Sequence, residues 1–233
     1  MHASGVLSAE RESVSFAGEQ AAILNAVDRV QPRAVIANPH SILKNIMTPT
    51  QAHKDWANYL RGQVGGKSCV AMYYDDDRTL EIPIFSGETD GGVLASTIGL
   101  MDYEQSRNPL VRLRTEILID SHKYDARVLN VLSTIAFYVM KNNWRIRPGV
   151  IFEDMLSMYF PYTTLPHIYF TTPFQWDGIS KVKVASDVIY PILAIPVSEV
   201  EADLAKKNDG QDLESLWLEN EIQVLDWNRR SSV

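Results

Sequence analysis

The sequence predicts an α/β fold of the α+β kind, in which helices pack on a mixed and mostly antiparallel central sheet. Three observations indicate this class. Strand-like segments follow one another as a hairpin and a meander over residues 69–100. A helix with apolar residues at spacings of three and four follows over residues 125–142, and an apolar strand leads into two further helices near the C-terminus. Runs of strands followed by helices are typical of sheets that are covered by helices.

The length and composition predict one large domain. The chain has 233 residues, of which 45% are hydrophobic, enough to bury a sizeable core. Residues 1–15 are small and polar and are expected to form a flexible N-terminal arm, so the domain is predicted to span residues 16–233. No signal peptide and no apolar run of membrane-spanning length is visible, which favours a cytoplasmic protein without membrane contact.

The first half of the domain is predicted to contain two helices and four strands. Helices are expected over residues 21–30 and 49–61, the second capped by Thr48. Residues 69–74 are apolar on both faces, as in a central strand, and would bury the single cysteine, Cys69. The next strand, residues 80–85, contains Pro83, which marks it as an edge strand or an irregular strand. Strands over residues 93–100 and 111–120 follow.

The second half is predicted to alternate helices and strands. Residues 151–159 suit a short helix or an irregular segment, and strands follow at residues 167–172 and 188–197. Ser198 and Glu201 form a capping box that starts a helix over residues 198–207, and a last helix covers residues 211–220.

Motifs for catalysis, cofactors or metals are not found. The segment from Gly62 to Ser68 ends in Gly-Lys-Ser, like a phosphate-binding loop, but its first glycine is one residue too close and a strand follows instead of a helix. The five histidines lack zinc-ligand spacing, and no serine stands in a nucleophile-elbow motif. We therefore expect no cofactor, no metal and no catalytic residue.

An acidic rim is the first candidate binding surface. It comprises the predicted hairpin turn and the loop after the next strand: Asp75, Asp76, Asp77, Glu88 and Asp90. A solvated turn explains the three consecutive aspartates better than a calcium loop does. The net charge of −7 disfavours nucleic acid and suits a basic protein partner, because complementary charge accelerates association.

A row of charges on one strand is the alternative candidate. Arg112, Arg114 and Glu116 share one face by the two-residue period of a strand. They could line a pocket above the sheet together with Trp144, as in a small-ligand-binding protein or an enzyme. A self-neutralising ladder, in which Glu116 pairs with one of the arginines, is the favoured interpretation.

Several segments together resemble the suppressor-of-fused domain family. Thr97-Ile98-Gly99 precedes the strand of residues 111–120, whose core is Arg114-Thr115-Glu116-Ile117. A hydrophobic strand then ends at Pro196 before an acidic helix, and the pattern Asp226-x-x-Arg229-x-Ser231 follows. This order of segments is similar to that of the family over residues 50–233.

The resemblance implies a protein-binding function. Animal members restrain zinc-finger transcription factors with the help of an additional C-terminal domain. Stand-alone bacterial members are similar to immunity proteins that neutralise toxins. The expectation is therefore a non-catalytic protein-binding module of the immunity type, whose partner is a basic protein such as a toxin.

Overall fold

A seven-stranded mixed sheet carries the fold of the computed structural model, which describes residues 48–90, 92–103, 113–174, 179, 181–185 and 187–233. Across this sheet the strands lie in the order β1 (Ser68–Tyr74), β2 (Glu81–Glu88), β3 (Val93–Thr97), β4 (Ile117–Ser121), β9 (Ile192–Val197), β6 (His167–Thr171) and β5 (Ile151–Phe152). Strands β7 (Val182–Val184) and β8 (Asp187–Ile189) form a separate hairpin. Among the described strands of the main sheet only the β4–β9 pair is parallel, which confirms the predicted mixed and mostly antiparallel architecture.

Helices cover both faces of the sheet within one compact unit. Helix α2 (Arg127–Asn142) packs on one face, where Val131, Leu132 and Ile135 are fully buried. Helices α1 (Gln51–Gln63), α3 (Glu199–Lys207) and α4 (Gln211–Glu219) contribute to the core on the opposite face. The apolar spacing of three and four that predicted α2 is therefore the stripe that the helix buries.

Trp56 fastens α1 to the sheet. Its side chain is fully buried, and its indole N–H donates to Ser96 Oγ and to the carbonyl of Thr97, both at 3.1 Å. Truncating a buried tryptophan to alanine costs about 3–5 kcal/mol. This contact places α1 over the end of β3, beside the polar cluster described below.

Two helix starts follow the rules for N-caps. The predicted capping box of α3 is confirmed: Ser198 Oγ accepts from Glu201 N at 3.2 Å, and Glu201 Oε2 accepts from Ser198 N at 2.8 Å. Helix α1 also starts with a capping box, but the cap is Thr50 and not Thr48.

Strands β1 and β2 exchange the roles expected from the sequence. β1 is the edge strand and β2 lies inside the sheet, so Cys69 is exposed and not buried. Pro83 is tolerated inside the sheet because it stands just beyond the paired part of β3. The β2–β3 register begins at the next residue, and the Pro83 carbonyl still accepts from Ile98 N at 2.9 Å.

Other boundaries are shorter than predicted. β3 ends at Thr97 because Gly99, with φ of +104°, turns the chain into a single 3₁₀ turn, Leu100–Asp102. The predicted strand over residues 188–197 is two strands, β8 and β9, separated by Tyr190 and Pro191. Residues 151–159 form β5 and then turns. Residues 1–15, the boundary at residue 16, the predicted helix at 21–30 and Arg112 lie outside the described residues. None of the described helices has both the length and the apolar character needed to cross a bilayer.

Candidate protein-binding site

Glu116 joins two of the segments that carry the family resemblance, Thr97-Ile98-Gly99 and Arg114-Thr115-Glu116-Ile117. It immediately precedes β4, and its side chain is fully buried. Its Oε2 accepts from Thr97 Oγ1 at 2.5 Å, and its Oε1 accepts from the backbone N–H groups of Gly99 at 2.7 Å and Met101 at 3.1 Å. The positive φ of Gly99 allows the tight turn that aims these N–H groups at the carboxylate. The threonine, glycine and glutamate of the two segments therefore form one structural unit.

The environment of Glu116 shifts its ionisation strongly. Burial raises the pKa from 4.5 to about 8, although the hydrogen bonds from Thr97, Met101 and Gly99 act in the opposite direction. Arg114, two residues away, bonds elsewhere. The unit formed by Thr97, Gly99 and Glu116 is thus held together mainly by hydrogen bonds to a carboxyl group that is shielded from water.

Arg114 is buried and belongs to a second set of contacts. Its Nε lies 2.9 Å from Asp187 Oδ1 and its Nη1 lies 3.6 Å from Asp102 Oδ1, while Nη1 also donates to the carbonyl of Met101 at 3.3 Å. The Nε contact has ion-pair distance without hydrogen-bond geometry. Glu116 and Arg114 therefore do not form the predicted ladder, because each has other partners. A pairing of Glu116 with Arg112 stays a prediction, since Arg112 lies outside the described residues.

His53 extends these contacts to α1. Its Nε2 lies 2.9 Å from Asp102 Oδ2, and its Nδ1 faces the backbone N–H of Thr50 at 3.3 Å. Since Nδ1 accepts from this N–H, Nε2 carries the proton that is donated to Asp102. The helix, the turn after β3 and the start of β4 are thereby fixed relative to one another.

Trp144 lies away from this cluster. It stacks on Tyr138 at a ring-centroid distance of 5.1 Å and meets Phe152 edge-on at 4.8 Å, on the face of the sheet covered by α2. Glu116 shares its face with Leu118, which belongs to the opposite core. The pocket suggested by Arg114, Glu116 and Trp144 is therefore not assembled.

Asp75 is part of the hairpin and does not present its carboxylate to a partner. The residue is only 5% exposed, and its side chain accepts from Leu80 N and Thr79 Oγ1 and pairs with Lys141 Nζ, all at 2.8 Å. Burial acts to raise the pKa of Asp75, but the contacts with Lys141, Leu80 and Thr79 outweigh it and hold the pKa below its usual value. This aspartate ties the turn to α2.

The other members of the acidic rim form two separate patches. Asp76 and Asp77 are exposed in the turn before β2, whereas Glu88 and Asp90 are exposed at and beyond its far end. The seven steps along β2 correspond to roughly 23 Å. A single small interface would not cover both patches.

A further group of negative charges lies on the two C-terminal helices. Residues 199–221 contain eight acidic and two basic side chains, a net charge of −6 against −7 for the whole chain. Asp212, Glu219 and Glu221 are exposed on or next to α4. Leu218 is 82% exposed between them, so an apolar side chain stands among carboxylates.

A buried ion pair anchors α3 to the C-terminal segment. Glu201 is fully buried, and Arg229 donates to both of its oxygens, Nη1 at 2.6 Å and Nη2 at 3.1 Å. Ser232 adds a backbone bond at 3.0 Å and a hydroxyl bond at 2.5 Å. Burial acts to raise the pKa of Glu201, but Arg229, Ser232 and Ser198 outweigh it and lower the pKa to about 2. The sequence marked Glu201 as a cap and Arg229 as part of a motif, without showing that they meet.

A cleft of about 400 Å³ on the α2 side was not predicted from the sequence. The Arg127 guanidinium lies 4.2 Å from the Phe160 ring centroid and binds Asp125, while Phe160 meets Trp227 edge-on at 6.1 Å. The lining comes from three distant parts of the chain, so no local motif could reveal it. Within the described residues, no group of three His, Cys, Asp or Glu side chains could hold a metal ion.

Comparison with known proteins gives one family. The sequence profile of the suppressor of fused protein family, SUFU, matches residues 76–230. The immunity protein YqcF of Bacillus subtilis (strain 168) is 34% identical over 195 residues, which cover 80% of this chain and all of that protein.

Solved structures share the fold. A SUFU homologue from Neisseria gonorrhoeae superposes with a TM-score of 0.60 at 14% identity, covering 78% of this chain and 96% of that one. A chain of the Sufu–Fu complex gives 0.57 at 13% identity, covering 79% and 93%. Drosophila Suppressor of Fused gives 0.53 at 13% identity, and the match covers 79% of this chain but 52% of the fly protein.

Proposed function

The chain belongs to the suppressor of fused family, and on that basis we propose that it is an immunity protein, which binds a toxic protein and blocks its action without catalysis. The observation that carries this proposal is the 34% identity to an immunity protein whose whole length is matched. The suppressor of fused fold supports a protein-binding role, since one chain of this fold was solved as part of the Sufu–Fu complex.

The partner is a basic protein, and the surface of this chain that binds it includes the acidic face of α3 and α4. Apart from Glu201, which is buried against Arg229, residues 199–221 contain seven acidic and two basic side chains, and this net charge of −5 would attract a basic surface and accelerate association. Leu218 supplies an exposed apolar contact inside this field. An apolar contact surrounded by polar groups is a common arrangement at the centre of protein interfaces.

A capture and rescue experiment tests the function. The full chain is used as bait in a lysate of the source organism, at low and at high salt, and retained proteins are identified by mass spectrometry. Each captured protein is then expressed in a bacterial host, with and without this chain. We expect one captured basic protein to arrest growth alone and growth to return on co-expression. If no captured protein is toxic, or if co-expression fails to restore growth, the immunity proposal is wrong.

Two matched bait variants test the surface. The first replaces Asp212, Glu219 and Glu221 by Asn, Gln and Gln, and the second replaces Asp76, Asp77 and Asp90 by Asn. Both remove three exposed negative charges. The first should slow association with the captured toxin at low salt by about tenfold or more, and the second should change it little. The reverse order would place the interface at the ends of β2.

A further inference from the structure

The outer edge of β1 presents backbone N–H and C=O groups that make no hydrogen bonds to β2. β1 borders the sheet, and β2 is its only neighbour among the described strands. The position of Pro83 shows which groups face outwards. The Pro83 carbonyl points to β3, where it accepts from Ile98 N, so Met72, opposite Pro83, exchanges no bonds with β2. Met72 therefore directs its N–H and C=O to the open edge.

The same orientation recurs at every second residue of β1. The bond from Asp75 N to Leu80 O, at 3.2 Å, agrees with this alternation, because it places the odd-numbered residues on the β2 side. The residues whose backbone groups face outwards are Ser68, Val70, Met72 and Tyr74.

Within the part of the chain that the structure describes, this edge lacks the features that usually prevent pairing. Folded proteins protect edge strands with prolines, charged residues, bulges or very short strands. β1 is seven residues long, contains neither proline nor charge, and pairs with β2 in continuous register. Cys69, Val70 and Ala71 in its first half are exposed. Such an edge is suited to a further strand.

We propose that this strand is β1 of a second copy of the chain, paired antiparallel about a two-fold axis at Ala71. With this axis, Val70 stands opposite Met72 of the second copy, and Ser68 stands opposite Tyr74. All four outward-facing residues of each copy then find partners, giving about eight hydrogen bonds. An axis at Val70 would move Tyr74 beyond the end of the opposing strand.

The charges at the ends of β1 fit the same register. Lys67, just before the strand, falls opposite the start of the Asp75–Asp77 turn of the second copy, where Asp76 and Asp77 are exposed. The two-fold axis repeats this contact at the other end. The paired residues between them are uncharged, so no like charges oppose each other.

Disulfide trapping tests the register. In the full chain with Cys69→Ser and Ala71→Cys, the two copies of residue 71 would oppose each other in a non-hydrogen-bonded pair, with Cα atoms about 4.5 Å apart. That distance allows a disulfide. The wild-type Cys69 is the matched control, since its two copies would lie roughly 14 Å apart. After mild oxidation, we expect a covalent dimer from the Ala71→Cys variant and almost none from the wild type.

Solution mass tests the surface independently of the disulfide. Light scattering should give the wild type twice its chain mass of 26.3 kDa. Met72→Pro removes an outward-facing N–H without losing a bond to β2 and should return the protein to a monomer, whereas Met72→Thr should leave it dimeric. A monomeric wild type, or a dimer that persists in Met72→Pro, would overturn the proposal. A dimer that links through Cys69 more readily than through residue 71 would overturn the register.

Discussion

The buried Glu201–Arg229 pair gives the most exacting test of how the fold is held together. In Glu201→Gln, the amide keeps the shape of the side chain but leaves the 6%-exposed guanidinium of Arg229 without its counter-charge. The pKa of Glu201 falls from 4.5 to about 2, which corresponds to roughly 3 kcal/mol. Removing one partner of a buried pair typically costs about 3–5 kcal/mol. We expect the free energy of unfolding to fall by about that amount.

Urea unfolding at neutral pH measures this loss, and Asp203→Asn on the same helix is the matched control. Asp203 is 62% exposed and lies 3.6 Å from Lys206, so its change should stay within about 0.5 kcal/mol. In Glu201→Gln/Arg229→Met both charges are absent, and the double variant should recover part of the stability.

The pH dependence gives a second measurement of the same pair. Because the folded-state pKa lies below the unfolded value, the stabilisation is present above about pH 4.5 and is lost as the pH falls towards 2. The wild type should lose stability over this range, and Glu201→Gln should lack that component. A cost below about 1 kcal/mol at neutral pH, or an unchanged acid limb, would refute the reasoning.

Three further outcomes follow from the structure. The pKa of Glu116 is raised to about 8, so its contribution to stability is present below about pH 4.5 and is lost as the pH rises through 8. Urea unfolding should show wild-type stability falling by up to about 5 kcal/mol over this range relative to Glu116→Gln, and parallel curves would contradict the shift. Gly210→Ala should lower the free energy of unfolding by about 2–4 kcal/mol in the same assay, because φ is +86° and the added Cβ would lie 1.8 Å from the Tyr169 hydroxyl. An unchanged free energy of unfolding would show that the Tyr169 ring moves aside easily. Asp75→Asn should lower stability by about 1–2 kcal/mol through loss of the Lys141 pair, while leaving partner association at low salt unchanged; the opposite pattern would return Asp75 to the interface.

Local periodicity and capping determined most of the elements that the sequence predicted. The stripe that includes Val131 and Ile135 marks α2, and Ser198 with Glu201 marks the start of α3, because both signals depend on residues within one or two turns. The order of strands is not encoded in this way. The sequence predicted the positions of β1 and β2 in reverse, because both strands contradict the usual pattern. The edge strand is apolar on both faces, and the interior strand contains a proline.

The polar contacts were least accessible from the sequence. Two-residue spacing correctly placed Arg114 and Glu116 on one face, but their partners are supplied by segments 12 or more residues away. Whether a carboxylate meets a guanidinium or a set of N–H groups depends on the turn at Gly99, which tertiary packing completes. Such pairings require the strand order, which local patterns leave open.

The buried Glu201–Arg229 ion pair also affects how the protein folds during its synthesis. The arginine that neutralises this carboxylate follows it by 28 residues in the chain. Protein synthesis adds about 5–20 residues per second, so roughly 1–6 s pass between the addition of Glu201 and the addition of Arg229. During that interval the first turn of α3 could be buried against the sheet only together with the unpaired charge of Glu201. The last layer of the fold is therefore expected to dock after translation has passed Arg229, and the unfinished chain would expose the apolar side of α3 and α4 until then.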